Sequence, residues 1–311
     1  MLKLKPHVVE KIWGGIKLKT MKNISADWGL NLDQIGETWE VSLLKDGPSY
    51  TEEGNILSEQ LEEDAFKYLV KFIDTSDDLS VQVHPDDQYA QLHENSLGKT
   101  ECWFILDANE GEGIYLGLKE GVTRVALQEA IEKKENLNEL LNFYPVKAGD
   151  FFYVPAGTIH AIGKGVTLAE VQQSSGVTYR VWDWNRVDKE GKSRELHVKK
   201  AMDVINFSSE DNRIDCFRPK PHLKSESLST LIEHRDFSLD YYQLKKNSKV
   251  EINRSNKQRP STLLNLDYPI QVNDTLIAPF EAVLIKDEER LIIQATSGEE
   301  KLEDKKFLYI Y

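Results

Sequence analysis

Short alternating segments, each closed by Gly, Pro, Asp or Asn, recur along most of this chain, and they constrain its fold more than any other feature. Val81–His84, Glu101–Leu106, Gly113–Leu118, Asp150–Val154 and Thr167–Gln172 read as strands. Beyond them, Phe237–Leu244, Thr262–Leu266, Thr275–Ile277, Ala282–Ile285, Leu291–Ala295 and Phe307–Tyr311 repeat the pattern. Many short strands with turn signals between them predict a mainly β chain built as a sandwich or barrel. Helical spacing is rarer. It predicts helices over Ser58–Lys71, Val125–Asn142 and Leu196–Val204, and the QYAQLHEN stretch around His93 reads as a helical, solvated face. The stretch 206–227, with two prolines and little periodicity, marks a boundary, so a first domain over 1–210 and a smaller β domain over 211–311 are expected.

Totals narrow the function. The 311 residues suffice for roughly two domains. A net charge of −13 does not attract nucleic acid or an anionic membrane face, although a few cations inside a cleft still suit a small anion. Two cysteines, Cys102 and Cys216, do not make a disulfide framework. With no apolar leader in MLKLKPHVVEKIWGG and no membrane-length apolar run, the chain reads as a soluble cytoplasmic protein.

Chemistry concentrates in four stretches. In LSVQVHPDD, Leu79–Asp87, residues two apart share a face, so Ser80, Gln82 and His84 line up opposite Leu79, Val81 and Val83. Inward polar groups need partners, and a metal ion satisfies an imidazole and an amide oxygen together. In KTECWFIL, Glu101 is a lone carboxylate on an apolar strand. In VPAGTIHAIGKG, His160 follows a Pro-Gly turn. Two histidines, one carboxylate and one amide oxygen from separate segments suit zinc or another borderline divalent ion; singly, each histidine reads more readily as a structural or surface residue than as a ligand. In LAEVQQSSGVTYRVWDWNR, Arg180 alternates with Trp182 and Trp184 and either stacks on them or binds an anion.

Taken in order, VQVHPDD, GKTECWFIL, PAGTIHAIGKG and YRVWDWNR resemble the type I phosphomannose isomerases of the short bacterial form, as do EKIWGG and GETWEVS nearer the amino terminus. The resemblance is strong over residues 5 to 200. It implies cupin architecture: two double-stranded β-helix (jelly-roll) domains with a few flanking helices, the first holding a single Zn2+ and the second degenerate. It further implies Gln82, His84, Glu101 and His160 as zinc ligands, and Arg180, Glu170 and Lys99 as catalytic groups. Ser80, Lys99, Arg180, Trp13 and Glu40 would line the substrate pocket, and Arg186 stands about where larger relatives carry a lysine. The implied reaction interconverts mannose 6-phosphate and fructose 6-phosphate through an enediol, on a phosphorylated hexose, in a monomer or homodimer. Two other readings compete: a non-catalytic cupin that binds a sugar phosphate, and an iron oxygenase, which Gln82 suits poorly.

Overall fold

The computed structural model describes residues 1–24, 34–62, 64–187, 190–254, 259–295 and 304–311. Its strands gather, among the described residues, into four antiparallel sheets of eight, six, five and four strands. Strands form where alternation predicted them: Val81–Val83, Glu101–Ala108, Gly113–Leu118, Phe151–Val154 and Val166–Gln173, then Ser238–Leu244, Ser261–Asn265, Thr275–Ile277, Ala282–Ile285, Arg290–Ala295 and Lys305–Ile310. The mainly β class is therefore as expected.

The sheets stack, and side-chain alternation decides which face meets which neighbour. The six-stranded sheet runs Phe151–Val154, Glu101–Ala108, Val166–Gln173, Tyr68–Asp74, Glu37–Val41, His7–Val9. One face sends Trp103, Ile105, Leu168 and Ile73 toward Ile114, Leu116 and Ile162 of the five-stranded sheet. The other face sends Tyr68, Val70, Phe72, Phe104 and Val171 toward Leu239, Leu264, Leu284 and Leu308 of the eight-stranded sheet. That sheet in turn packs Leu263, Val283, Ile285 and Phe307 against Ile270, Val272, Leu291 and Ile293 of the four-stranded sheet. The outer face of the five-stranded sheet, with Val81, Val83 and Val181, is covered by Leu127 and Ala130 of the helix Arg124–Glu132 and by Ala201 and Met202 of the helix Val198–Val204.

Burial on both faces explains one failed expectation. Among the described residues of Ser58–Lys71 no α-helix forms; a 3-10 turn at Leu57–Glu59 is followed by the strand Tyr68–Asp74, every residue of which is buried. Its YLVKFID sequence is apolar on both faces, and the helical spacing of Leu61, Ala65, Tyr68 and Leu69 runs across a chain reversal. The helix expected over Val125–Asn142 stops at Glu132, with Lys134 in the left-handed region, and Leu141–Pro145 becomes a strand. The helices Val198–Val204 and Asp87–Glu94 form, and His93 is exposed.

The presumed linker is ordered. A short helix, Ile214–Phe217, plugs Phe217 into the core beneath the first pair of sheets. The eight-stranded sheet, built mostly from strands after residue 211, takes its last two strands, Leu2–Lys5 and Tyr50–Thr51, from the amino-terminal part. Among the described residues no helix is long and apolar enough to cross a membrane.

Phe72 is wholly buried where the six- and eight-stranded sheets meet, edge-on to Phe280 at 6.0 Å. Phe72→Ala is expected to lower the unfolding free energy by about 3–5 kcal/mol. A shift in the urea midpoint with an unchanged m-value measures it, and a loss below about 1 kcal/mol would contradict this packing.

Candidate metal centre and active site

Strand Val81–Val83 is short because Pro85 has no N–H to offer the ladder and Asp86 caps the helix that follows, accepting from the Tyr89 N–H at 2.8 Å. Alternation turns Val81 and Val83 to the helix-covered side, leaving Gln82 and His84 to face the other sheet. Gln82 pairs in register with His160 on one side and with Arg180 on the other. His160 opens its strand after a tight turn in which Gly157 has a φ of +87°, a conformation that favours glycine, and the Gly157 N–H donates to His84 O at 2.8 Å. Glu101, first in its strand, points back from the six-stranded sheet, with no exposed surface.

These residues meet. The ligating atoms of His84, Glu101 and His160 lie within 4.8 Å of one another. Each imidazole Nδ1 donates to a backbone carbonyl, His84 to Val177 O and His160 to Thr158 O, both at 2.9 Å. A carbonyl only accepts, so the proton sits on Nδ1 and each Nε2 presents a lone pair. Those Nε2 atoms stand 3.4 Å from Glu101, one opposite each carboxylate oxygen. Neither Nε2 and neither Glu101 oxygen has a hydrogen-bond partner, although all four are buried.

Electrostatics rules out an ion pair between these groups. Burial, then the Lys99 cation, brings the His84 pKa down to about 3, and burial lowers that of His160. Both are neutral near pH 7. Burial also works against the Glu101 carboxylate, but Lys99, 3.0 Å from its Oε2, holds its pKa well below the usual range. Lone pairs from two neutral imidazoles and a carboxylate thus converge on one dry point. A divalent cation satisfies such a set, and the donors fit zinc.

A second polar group crosses the same face of the six-stranded sheet. Trp103, Glu170, Lys71 and Trp39 are successive cross-strand neighbours. The Trp103 indole N–H donates to Glu170 at 3.2 Å, and Lys71 lies 3.4 Å from Glu170 and 3.4 Å from Glu37. Burial, with help from Glu101, raises the Glu170 pKa, while Lys71 partly offsets the rise. Burial opposes ionised Glu37 as well, but Lys71 and Lys11 outweigh it and bring that carboxyl down to about 2. The remaining Glu170 oxygen has no hydrogen bond.

Arg180 reaches from beside Gln82 to Ser80, donating through Nε at 3.3 Å, and to Glu195 O at 2.8 Å. Nearby, Arg186 and Arg194 both bond to Asp183.

Gln82, His84, Lys99, Glu101, His160, Glu170, Ser80 and Arg180 are thus assembled on facing inner surfaces. Trp13 is buried in the cluster with Ile73, Leu79 and Trp103, as part of the wall. Glu40 is not brought to the site. A register shift between Trp39 and Val41 and the alternation of the strand put it on the opposite face, buried against Lys22 at 2.9 Å, beside Phe280 O. Glu37, in the same motif, faces the site instead. Lys71 and Glu37 escaped the sequence reading, yet the reasoning that singled out Glu101, a lone charge on an apolar strand, applies equally to Lys71.

No family model matches the chain. It is 38% identical over 307 residues to a mannose-6-phosphate isomerase of Bacillus subtilis, covering 89% of this chain and 92% of that one. The chain belongs to the mannose-6-phosphate isomerase family. A mannose-6-phosphate isomerase of Streptococcus mutans is 40% identical over 223 residues, 67% of this chain and 69% of that one. Among solved structures, a Bacillus subtilis mannose 6-phosphate isomerase superposes with a TM-score of 0.81 at 28% identity, covering 99% of this chain and 98% of that one. A mannose 6-phosphate isomerase bound with zinc and yttrium shares the fold, with a TM-score of 0.73 at 14% identity over 100% of this chain and 99% of that one.

Elemental analysis of the dialysed protein is expected to find roughly one divalent ion per chain, and His160→Ala to hold almost none while keeping its far-ultraviolet circular dichroism. Full metal content in that variant would refute the assignment.

Proposed function

We propose that this chain is a zinc-dependent aldose–ketose isomerase interconverting mannose 6-phosphate and fructose 6-phosphate. The observation that carries the reading is the set of four buried ligand atoms converging from His84, His160 and Glu101, of which only Glu101 Oε2 has a charged partner, the Lys99 ammonium, with Glu170 and Arg180 around the same space. The relatives' names supply the substrate. Gln82, His84, Glu101 and His160 would hold the zinc ion, which when bound supplies Lewis-acid polarisation of the sugar oxygens.

The chain's own groups account for the proton movements. Isomerisation takes the proton from C2 of the aldose and returns one to C1 through an enediol, while a hydroxyl proton leaves O2 and one is gained at O1. Glu170 suits this shuttle, because burial raises its pKa toward the working pH and the Trp103 indole and Lys71 fix its orientation. The Lys99 ammonium faces the oxygen charge that develops in the enediolate. Arg180, tethered through Ser80 and Glu195 O, and Arg186, whose buried Nε has no partner, offer guanidinium groups to the phosphate. Both cysteines are free, which suits a reducing compartment such as the cytoplasm.

A coupled assay with mannose 6-phosphate tests the reading: turnover is expected, lost on chelation and restored by Zn2+. Arg180→Ala is expected to lower kcat by about 100-fold or more while zinc content is unchanged; binding of the sugar phosphate with no turnover in the zinc-loaded wild type would favour the non-catalytic alternative. The pH dependence gives an independent check. Lys71 lowers the Glu170 pKa, so Lys71→Met raises it further. A base works only when ionised, above its pKa, so the acid limb of the kcat profile moves to higher pH in Lys71→Met. A limb that stays put or moves down would remove Glu170 from the base role.

A further inference from the structure

The QQSSG stretch does more than turn the chain. Gln172 sits opposite Glu101, and Gln173 follows it, opposite Tyr68 on the other neighbouring strand. The Gln173 backbone N–H donates to Thr100 O at 2.9 Å, and its side-chain Oε1 accepts from the Thr100 N–H at 2.8 Å. Thr100 lies between Lys99 and Glu101, so Gln173 grips the backbone that carries both groups. The other end of the amide points away from the site. Its Nε2 donates to Asp236 at 2.7 Å and to Asp87 at 3.2 Å.

Asp236 comes from a distant part of the chain, the turn between strands Leu228–Glu233 and Ser238–Leu244 of the eight-stranded sheet. Its side chain is only 8% exposed, and the next residue, Phe237, is locked in the core shared by the six- and eight-stranded sheets. Asp87 is more exposed, at 33%, and already accepts from the Gly98 N–H at 2.8 Å. Arg235 bonds both carboxylates and holds them together. An amide has a fixed polarity. Two acceptors on its Nε2 side hold Oε1 toward the Thr100 N–H, and Asp236 is the buried one of the two.

We propose that Asp236 is a positioning residue for Lys99 and Glu101, acting through the Gln173 amide, so that the eight-stranded sheet orients the metal-binding end of the six-stranded sheet. The inference rests on the functional reading above. Its mechanism is an outer hydrogen bond that fixes the Thr100 backbone, and through it the neighbouring Lys99 and Glu101.

The test uses the full chain, with Zn2+ alone competed against a chromogenic chelator, kinetics on mannose 6-phosphate, and thermal unfolding. Asp236→Ala is expected to weaken zinc binding by about tenfold and to lower kcat with little change in KM. Asp236→Asn, whose Oδ1 still accepts from Gln173, restores both. Tyr68→Phe serves as the control for a merely structural role. It removes the buried Tyr68–Thr262 hydrogen bond, 3.0 Å, from the same sheet interface, and is expected to lower the unfolding temperature without changing zinc affinity. Wild-type zinc affinity and turnover in Asp236→Ala would overturn the proposal, as would an equal loss of zinc affinity in Tyr68→Phe. A wild type that isomerises nothing defeats the functional reading, while the zinc competition still decides the role of Asp236.

Discussion

Three sets of lone pairs, on His84, His160 and Glu101, face one another in a space that water does not reach. Without a cation, that arrangement is unfavourable twice over: the carboxylate loses its hydration, at several kcal/mol for a buried ion, and no hydrogen stands between the acceptors. Lys99 offsets part of the cost through its ion pair with Glu101. The carbonyls of Val177 and Thr158 add to the constraint by fixing each Nδ1 proton, so neither ring can turn its N–H toward the carboxylate. Metal binding and local order are therefore coupled, since the ion relieves a penalty that folding creates.

The frame that imposes this arrangement is a sheet buried on both faces. Tyr68–Asp74 and Val166–Gln173 have no exposed residue, so every polar side chain on them must find a partner inside the protein. On the face toward the eight-stranded sheet the residues are mostly apolar, and the contact is packing. On the other face the charges come in register, with Glu170 opposite Lys71 and next to Trp103. A one-residue slip would move Glu170 and Lys71 into the apolar layer, so the hydrophobic pattern that fixes the register also fixes the site.

What could be read from the sequence follows from this frame. The strands and the convergence of His84, Glu101 and His160 were legible, because alternation is local and a charge on an apolar strand is conspicuous. Glu170 and Arg180 were legible for their place in a quoted motif. Glu40 was misassigned because its side of the sheet depends on a register shift between Trp39 and Val41 that no local pattern announces. The strand at Tyr68–Asp74 was taken for helix because two-faced burial erases the alternation that marks a half-buried strand. The link from Asp236 to Gln173 joins residues 63 apart in sequence, and nothing local in either stretch signals it.

The chain carries a net charge of −13, yet the proposed substrate is itself an anion. Distance and burial reconcile the two. At physiological ionic strength, exposed charges are screened beyond about 8 Å, so the acidic surface contributes little inside the cleft. Lys99 and Lys71 are buried and escape that screening. Each is matched to a carboxylate whose pKa burial raises, Glu101 and Glu170. The cations thus do two things at once: they favour the ionised carboxylates, and they offset their negative charge between the sheets. Replacing either lysine with a neutral residue would therefore remove a buried cation and raise the pKa of its partner carboxylate, two changes that act in opposite directions on the local charge.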